Sequence, residues 1–282
     1  MEIIVGKTAG FCYGVKNAVN GAIEEAKNAK QPIYCLGEIV HNKQVIQMLE
    51  NLGVKCVETL KETNGTTLIR AHGVPKEIYE TAKNMNIKIK DYTCPNVLKI
   101  HKIAEEYNNK GYFIFLLGSK KHPENIGTLS HCGTHCYVLE SEDEISEGIK
   151  KLEESKIKNV LLIAQTTFNL EKFDKLQQKL QEQLNENITF VVKNTICKAT
   201  ELRQKETAEI SKKVEFMIII GGKNSSNTKK LYEVAKQNCE NTVLIETVKD
   251  LKINEKFEKI GIMAGASTPQ ESINEVIKFI KL

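Results

Sequence analysis

Six times along this 282-residue chain a short, β-rich apolar run ends in a small or polar loop and gives way to helix-compatible residues. The first three are Ile33 to Gly37 before His41-Asn42, Thr67 to Ile69 before Arg70-Ala71-His72-Gly73, and Tyr112 to Leu117 before His122-Pro123-Glu124. Val160 to Ile163 before Gln165-Thr166-Thr167, Phe216 to Ile220 before Asn224-Ser225-Ser226-Asn227, and Ile260 to Met263 before Ala264-Gly265-Ala266-Ser267 complete the set. Strand alternating with helix requires crossovers between parallel neighbours, so the chain is expected to be α/β with mostly parallel sheets and right-handed connections. In such sheets ligands collect beyond the carboxyl ends of the strands, which is where all six polar loops fall.

At 282 residues the chain exceeds what one core normally supports. Its eight cysteines include three, Cys12, Cys94 and Cys197, that stand 82 and 103 residues apart and cut the chain into comparable units with two strand-loop signals each. The expected organisation is an N-terminal strand and first cysteine loop (1–12) followed by three small α/β domains, 13–95, 96–193 and 194–282. The three would surround one centre as a pseudo-threefold trefoil. Long charged helices such as Phe173 to Leu184 read as solvent-facing crossovers.

Charge argues against several partners. Forty basic and 36 acidic residues give +4, interleaved rather than striped, so no nucleic-acid surface is expected. The longest apolar runs, Phe113 to Leu117 and Phe216 to Ile220, are far shorter than the roughly 18 residues of a membrane span. Met1 to Lys7 reads as a strand rather than a secretory signal, which places the protein in the cytoplasm. Arg70 and Arg203 are the only arginines, so backbone amides, hydroxyls, side-chain amides and imidazoles must do most of any phosphate binding.

In a cytosolic chain, cysteines in special contexts point to metal or catalytic duty before disulfides. Cys12 lies between glycines in Gly10-Phe11-Cys12-Tyr13-Gly14, Cys94 precedes Pro95, a good first helical residue, and Cys197 precedes another helix-forming segment. Helix N-termini lower thiol pKa and favour the thiolate. Structural zinc usually draws on close cysteine pairs, and these three belong to none. Ligands this far apart suit a cofactor between domains, and a four-iron cluster on three thiolates keeps one iron open to substrate.

The loops supply an anion site. Ser225, Ser226 and Asn227 after Gly221-Gly222 can cradle phosphate at a helix start, and His41, His72 and His122 each follow a predicted strand as donors to a shared anion. Glu124, in a turn set by Pro123, is the candidate proton donor, because burial beside phosphates raises a carboxyl pKa. A competing cluster, His131-Cys132-Gly133-Thr134-His135-Cys136, carries acceptable zinc ligands, but adjacent residues point apart, so a variable surface loop is the default reading.

Taken in order, these motifs together with Thr93-Cys94-Pro95 and Cys197-Lys198-Ala199-Thr200 closely resemble the 4-hydroxy-3-methylbut-2-enyl diphosphate reductase family over nearly the whole chain. The resemblance implies a 4Fe-4S cluster on Cys12, Cys94 and Cys197, one per chain with an open fourth iron. It implies a diphosphate pocket of His41, His72, His122, Ser225, Ser226, Asn227 and Ser267, with Thr166 near the substrate hydroxyl, and Glu124 as proton donor with His122 and Thr166 beside it. The family's reaction is a two-electron reductive dehydroxylation that yields isopentenyl and dimethylallyl diphosphate at the end of the methylerythritol phosphate pathway. Arg70 reads as a local choice, and no fused RNA-binding domain is expected after Leu282. A cluster must be fed one electron at a time, so a ferredoxin or flavodoxin is the expected donor. Two other classes remain to be weighed, a non-catalytic iron-sulfur regulator and a zinc-dependent phosphate-ester hydrolase.

Overall fold

The six apolar runs become the paired central strands of three four-stranded parallel sheets. The computed structural model describes residues 1–253 and 255–281. β1 (Glu2–Val5) opens the chain and leads into α1 (Tyr13–Lys27). The first sheet then holds β2 (Ile33–Leu36), β3 (Val54–Val57), β4 (Thr66–Ile69) and β5 (Lys88–Asp91) in the order β3-β2-β4-β5, with α2 (Lys43–Asn51) and α3 (Lys76–Asn84) between strands. After α4 (Pro95–Asn109) the second sheet repeats the pattern with β6 (Phe113–Leu117), β7 (Cys136–Leu139), β8 (Asn159–Ala164) and β9 (Thr189–Val192), ordered β7-β6-β8-β9. Its crossovers are α5 (Pro123–Cys132), α6 (Ile145–Ser155) and α7 (Leu170–Gln183). After α8 (Lys198–Ser211) come β10 (Phe216–Ile220), α9 (Ser226–Lys236), β11 (Thr242–Ile245), β12 (Lys259–Ala264) and α10 (Gln270–Ile280).

With its strands taken in chain order, each of the first two sheets runs second, first, third, fourth. The third sheet, β11-β10-β12-β1, has the same order, but its fourth place is filled by the first strand of the chain, which pairs Glu2 to Lys259 and Val5 to Ile262. Residues 2–5, set apart in the sequence with the first cysteine loop, are therefore hydrogen-bonded into the third unit, and the trefoil closes on itself. The consequence is positional. In every unit the fourth strand is followed by one of the three cysteines, Cys12 after β1, Cys94 after β5 and Cys197 after β9. Each cysteine then opens the first helix of the next unit.

Central strands such as Phe113-Ile-Phe-Leu-Leu117 are buried along their whole length because helices cover both faces of each sheet. Edge strands carry mixed sequence, Lys88-Ile-Lys-Asp91 being the extreme, since one side faces water. The first and third strands of each sheet part company at their carboxyl ends, where the crossovers diverge. The six polar loops meet at these three switch points.

Candidate active site

Cys12, Cys94 and Cys197 occupy the N-cap positions of α1, α4 and α8, and none uses its side chain as a cap. All three line one central cavity. The approach is close: a Cβ at Gly14 would lie 2.5 Å from Cys94 Sγ, so only glycine lets the Cys12 helix come this near. Asn96 Nδ2 donates to Cys197 Sγ at 3.1 Å. Among the described residues, the one trio of potential ligand atoms mutually within 4.8 Å is His41, His72 and His122, so the three thiols stand wider than a single ion requires. Their spacing and donor chemistry fit a polynuclear iron-sulfur group.

The expectation that helix N-termini leave these thiols acidic is not met at Cys94. Burial pushes its pKa up, the Asn96 and Val97 amides pull it down by less, and Cys12 and Cys197 add to the rise. The two neighbouring thiols thus oppose ionisation of Cys94, and a cationic inorganic core is the natural relief.

Arg203, read in the sequence only as one of two arginines, is 3% exposed and holds this centre together. Its Nε donates to Thr8 O at 2.8 Å and Nη2 to Gly10 O at 3.0 Å, tying the Cys12 loop to the helix of Cys197. Glu206, one turn on, accepts from the Lys7 and Thr8 amides at 2.7 and 2.9 Å. Neither residue stands out in sequence, because both sit mid-helix in an ordinary charged pattern.

At the other end of the cavity three imidazoles pack together. His41 stacks on His72 with centroids 4.4 Å apart, and His122 stands edge-on to both at 5.8 and 5.4 Å. Burial pushes His72 well below the usual imidazole range, and its two histidine neighbours and Arg70 add to the effect. Burial likewise takes His122 down to about 3, helped by His41 and Arg70. Arg70 is thus more than a local choice. Its guanidinium occupies the space beside Gly37, where a Cβ would meet Nη1 at 2.2 Å, and its charge reaches the histidine cluster.

The hydroxyl and amide residues complete the same rim. Ser225 caps α9 by accepting from the Thr228 amide, Ser226 Oγ meets Thr167 Oγ1 at 3.1 Å, and Ser267 Oγ donates to His41 O at 3.2 Å. Asn227 is 4% exposed, and both atoms of its amide lack a partner. Buried polar atoms without partners are rare and invite a ligand. The histidine trio has ligand spacing for a divalent ion as well, but the cationic Arg70 and the open amide of Asn227 favour an anion's oxygens.

Glu124 lies between the two ends. His122 is the N-cap of α5, its Nδ1 accepting from the Glu124 amide at 3.2 Å, with Pro123 at the first helical position. This turn aims Glu124 inward, where it is 2% exposed. The Thr166 amide and hydroxyl each donate to the carboxyl at 2.6 Å. Burial raises the Glu124 pKa to about 7 in spite of those two bonds. Gln165, which heads the same polar loop, accepts from Asn125 at 3.1 Å and donates to Thr167 at 2.7 Å, fixing the segment that carries Thr166.

All twelve side chains chosen from the sequence thus border one cavity. The competing cluster does not assemble. It is also not a plain surface loop: Cys132 ends α5 fully buried, with Sγ donating to Thr128 O, and Cys136 begins β7. Gly133, at a φ of +69°, reverses the chain between them, and His131 stacks on His101 instead of joining the cysteines.

Fold and site together define an α/β trefoil whose thiol-lined centre adjoins an anion-ready rim. A model of the LytB protein family matches residues 3–281, and the chain belongs to that family. The 4-hydroxy-3-methylbut-2-enyl diphosphate reductase of Clostridioides difficile (strain 630) is 41% identical over 100% of this chain and 99% of its own length. That of Aquifex aeolicus (strain VF5) is 40% identical over 98% of this chain and 94% of its own. Among solved structures, an (E)-4-hydroxy-3-methyl-but-2-enyl diphosphate reductase described as the terminal enzyme of the non-mevalonate pathway matches with a TM-score of 0.72 at 38% identity. That alignment covers 100% of this chain and 99% of the other. The Plasmodium falciparum reductase matches with a TM-score of 0.89 at 31% identity, over 99% of this chain and 87% of the other. The three-sheet α/β architecture expected from the sequence is borne out by both.

Two outcomes follow from this geometry. Arg203→Ala strands the carbonyls of Thr8 and Gly10, and is expected to lower unfolding free energy by about 3 kcal/mol in urea titration, charged hydrogen bonds being the stronger kind. His72 and His122 are neutral in the free protein, and a bound dianion raises their pKa values, so anion binding takes up protons and weakens as pH rises. Calorimetry of inorganic diphosphate in buffers of different ionisation enthalpy reads that uptake directly; a buffer-independent enthalpy contradicts it.

Proposed function

We propose that this chain is a 4-hydroxy-3-methylbut-2-enyl diphosphate reductase, removing the allylic hydroxyl with two electrons and two protons to release water and give isopentenyl and dimethylallyl diphosphate. What supports the reading most is a single juxtaposition: three N-cap thiols and a three-histidine anion rim share one cavity, with a carboxyl of raised pKa between them. Cys12, Cys94 and Cys197 would hold the 4Fe-4S cluster, which when bound supplies one-electron transfer and a Lewis-acidic iron free of protein ligands. A small one-electron carrier, a ferredoxin or flavodoxin, is the donor this chemistry calls for. Eight free cysteines suit a reducing, cytoplasmic setting.

The protein's own residues bind and position. His41, His72, His122, Ser225, Ser226, Asn227 and Ser267 take the diphosphate, whose remote binding energy orients the five-carbon chain toward the cysteine end. Glu124, near half-protonated at neutral pH, holds the proton the departing oxygen needs. The Thr166 hydroxyl, in hydrogen-bond contact with Glu124 Oε2, relays it: as the carboxyl gives a proton to Thr166 Oγ1, the hydroxyl passes its own onward. Enclosure by three units excludes water from the reacting end.

Glu124 also links activity to pH. Its folded pKa of about 7 stands above the ordinary 4.5, so the stability gained by protonating it in place is complete below 4.5 and lost as pH rises through about 7. Turnover should fall on the same limb. Glu124→Gln keeps the shape and is expected to reduce turnover by about 10²-fold or more, with iron content and diphosphate affinity unchanged and the alkaline limb gone. Anaerobically purified protein should carry about four irons with labile sulfide and turn over with dithionite. Stoichiometric zinc without sulfide would instead establish the hydrolase, and an iron-sulfur protein with no turnover would establish the regulator.

A further inference from the structure

We propose that the groove between α4 and the connection from β9 to α8 is the docking surface for an acidic one-electron carrier protein, with Cys197 as the point of electron entry. The inference rests on the reading of the three cysteines as cluster ligands. Two surface grooves abut the central cavity. One shares His41, His122 and Ser226 with it and opens at the anion-binding end. The other shares only Asn96 and Cys197 with it, and so reaches the thiol end from the opposite direction. Electron transfer between proteins weakens steeply with distance, so a carrier must seat where a ligand of the redox centre is also a wall of the surface. Cys197 meets that condition, and its Sγ is already hydrogen-bonded by the groove residue Asn96.

Charge specifies the occupant. Lys99, Lys193 and Lys198 line this groove, all exposed, and none forms an ion pair among the described residues. Glu106, which also lines the groove, pairs with Lys110 on its own helix, and nearby Glu201 pairs with Lys205. What remains is a local cationic surface beside Cys197, and it suits the carboxylate-rich face of an acidic partner. An apolar element is at hand as well: Leu98 on α4 and Leu202 on α8 are exposed at 38% and 46%, each within two turns of its cysteine cap. Exposed leucines among unpaired lysines make the apolar patch and charged rim of a transient interface.

Each encounter oxidises one carrier by one electron. Two encounters, with two protons, replace the substrate C–OH by C–H and release water. Because the donor and the diphosphate use separate grooves, the carrier can deliver the second electron while substrate stays bound.

The test uses cluster-loaded protein with reduced flavodoxin as donor and methyl viologen as a small donor that needs no docking surface. The triple variant Lys99→Glu, Lys193→Glu, Lys198→Glu is expected to raise the KM for flavodoxin about tenfold or more, leaving methyl viologen turnover unchanged. Added salt should weaken flavodoxin binding to the native protein but not to the variant. Zero-length carbodiimide cross-linking, read by mass spectrometry without any turnover, should join flavodoxin carboxylates to these lysines. Unchanged KM and cross-links in the triple variant overturn the proposal, as does a loss that appears instead on Lys121→Glu, Lys229→Glu at the anion end. A native protein that binds no iron and sulfide defeats the cluster reading itself, which the methyl viologen control reports separately.

Discussion

The structure depends on a meeting of three helix starts. α1, α4 and α8 each begin at a cysteine, and each belongs to a different unit, so the centre of the trefoil is built from three equivalent strand-to-helix turns. Desolvation and its two thiol neighbours hold the Cys94 pKa above the usual thiol value. Arg203 braces this centre, its guanidinium bridging the Cys12 loop and the Cys197 helix while placing a positive charge beside both of those sulfurs. Gly14 is the steric counterpart, since any side chain there would strike Cys94. A centre held so tightly from three sides can carry a rigid inorganic group, and the rest of the cavity is arranged around it.

Its two ends have opposite electrostatic tasks, and burial serves both. At the rim burial keeps His72 and His122 neutral, so the histidine cluster carries no cost of buried like charges until an incoming anion draws protons onto it from solution. In the middle burial raises Glu124 until it can hold a proton at neutral pH, even though Thr166 donates to it twice. The proton-holding group thus touches Thr166 and stays apart from bulk water. Substrate at one groove and electrons at the other would leave neither path blocking its counterpart.

Much of the fold was legible because the central strands are covered on both faces and therefore read as unbroken apolar runs, as in Phe216 to Ile220. Edge strands such as Lys88–Asp91 were not legible, since one exposed side mixes lysine into the pattern. The site was legible for a related reason. Ligand loops follow the central strands directly, so Ser225 and His122 announce themselves by position. Arg203, Glu206 and Asn96 did not, because they act through partners up to about two hundred residues away and sit in unremarkable helical sequence. Cys132 and Cys136 misled in the other direction: adjacent in sequence to two histidines, they face a hydrophobic core.

By itself the sequence determined the alternation of strand and helix, the six ligand loops and the three cysteines at helix starts, since hydrophobic period, turn residues and helix caps are local properties. Only the tertiary structure decided that β1 completes the third sheet, that one arginine ties two cysteine loops, and that Glu124 keeps its proton near neutrality. Strand order, buried pairing and dielectric are set by residues distant in sequence, and no local pattern encodes which of them become neighbours.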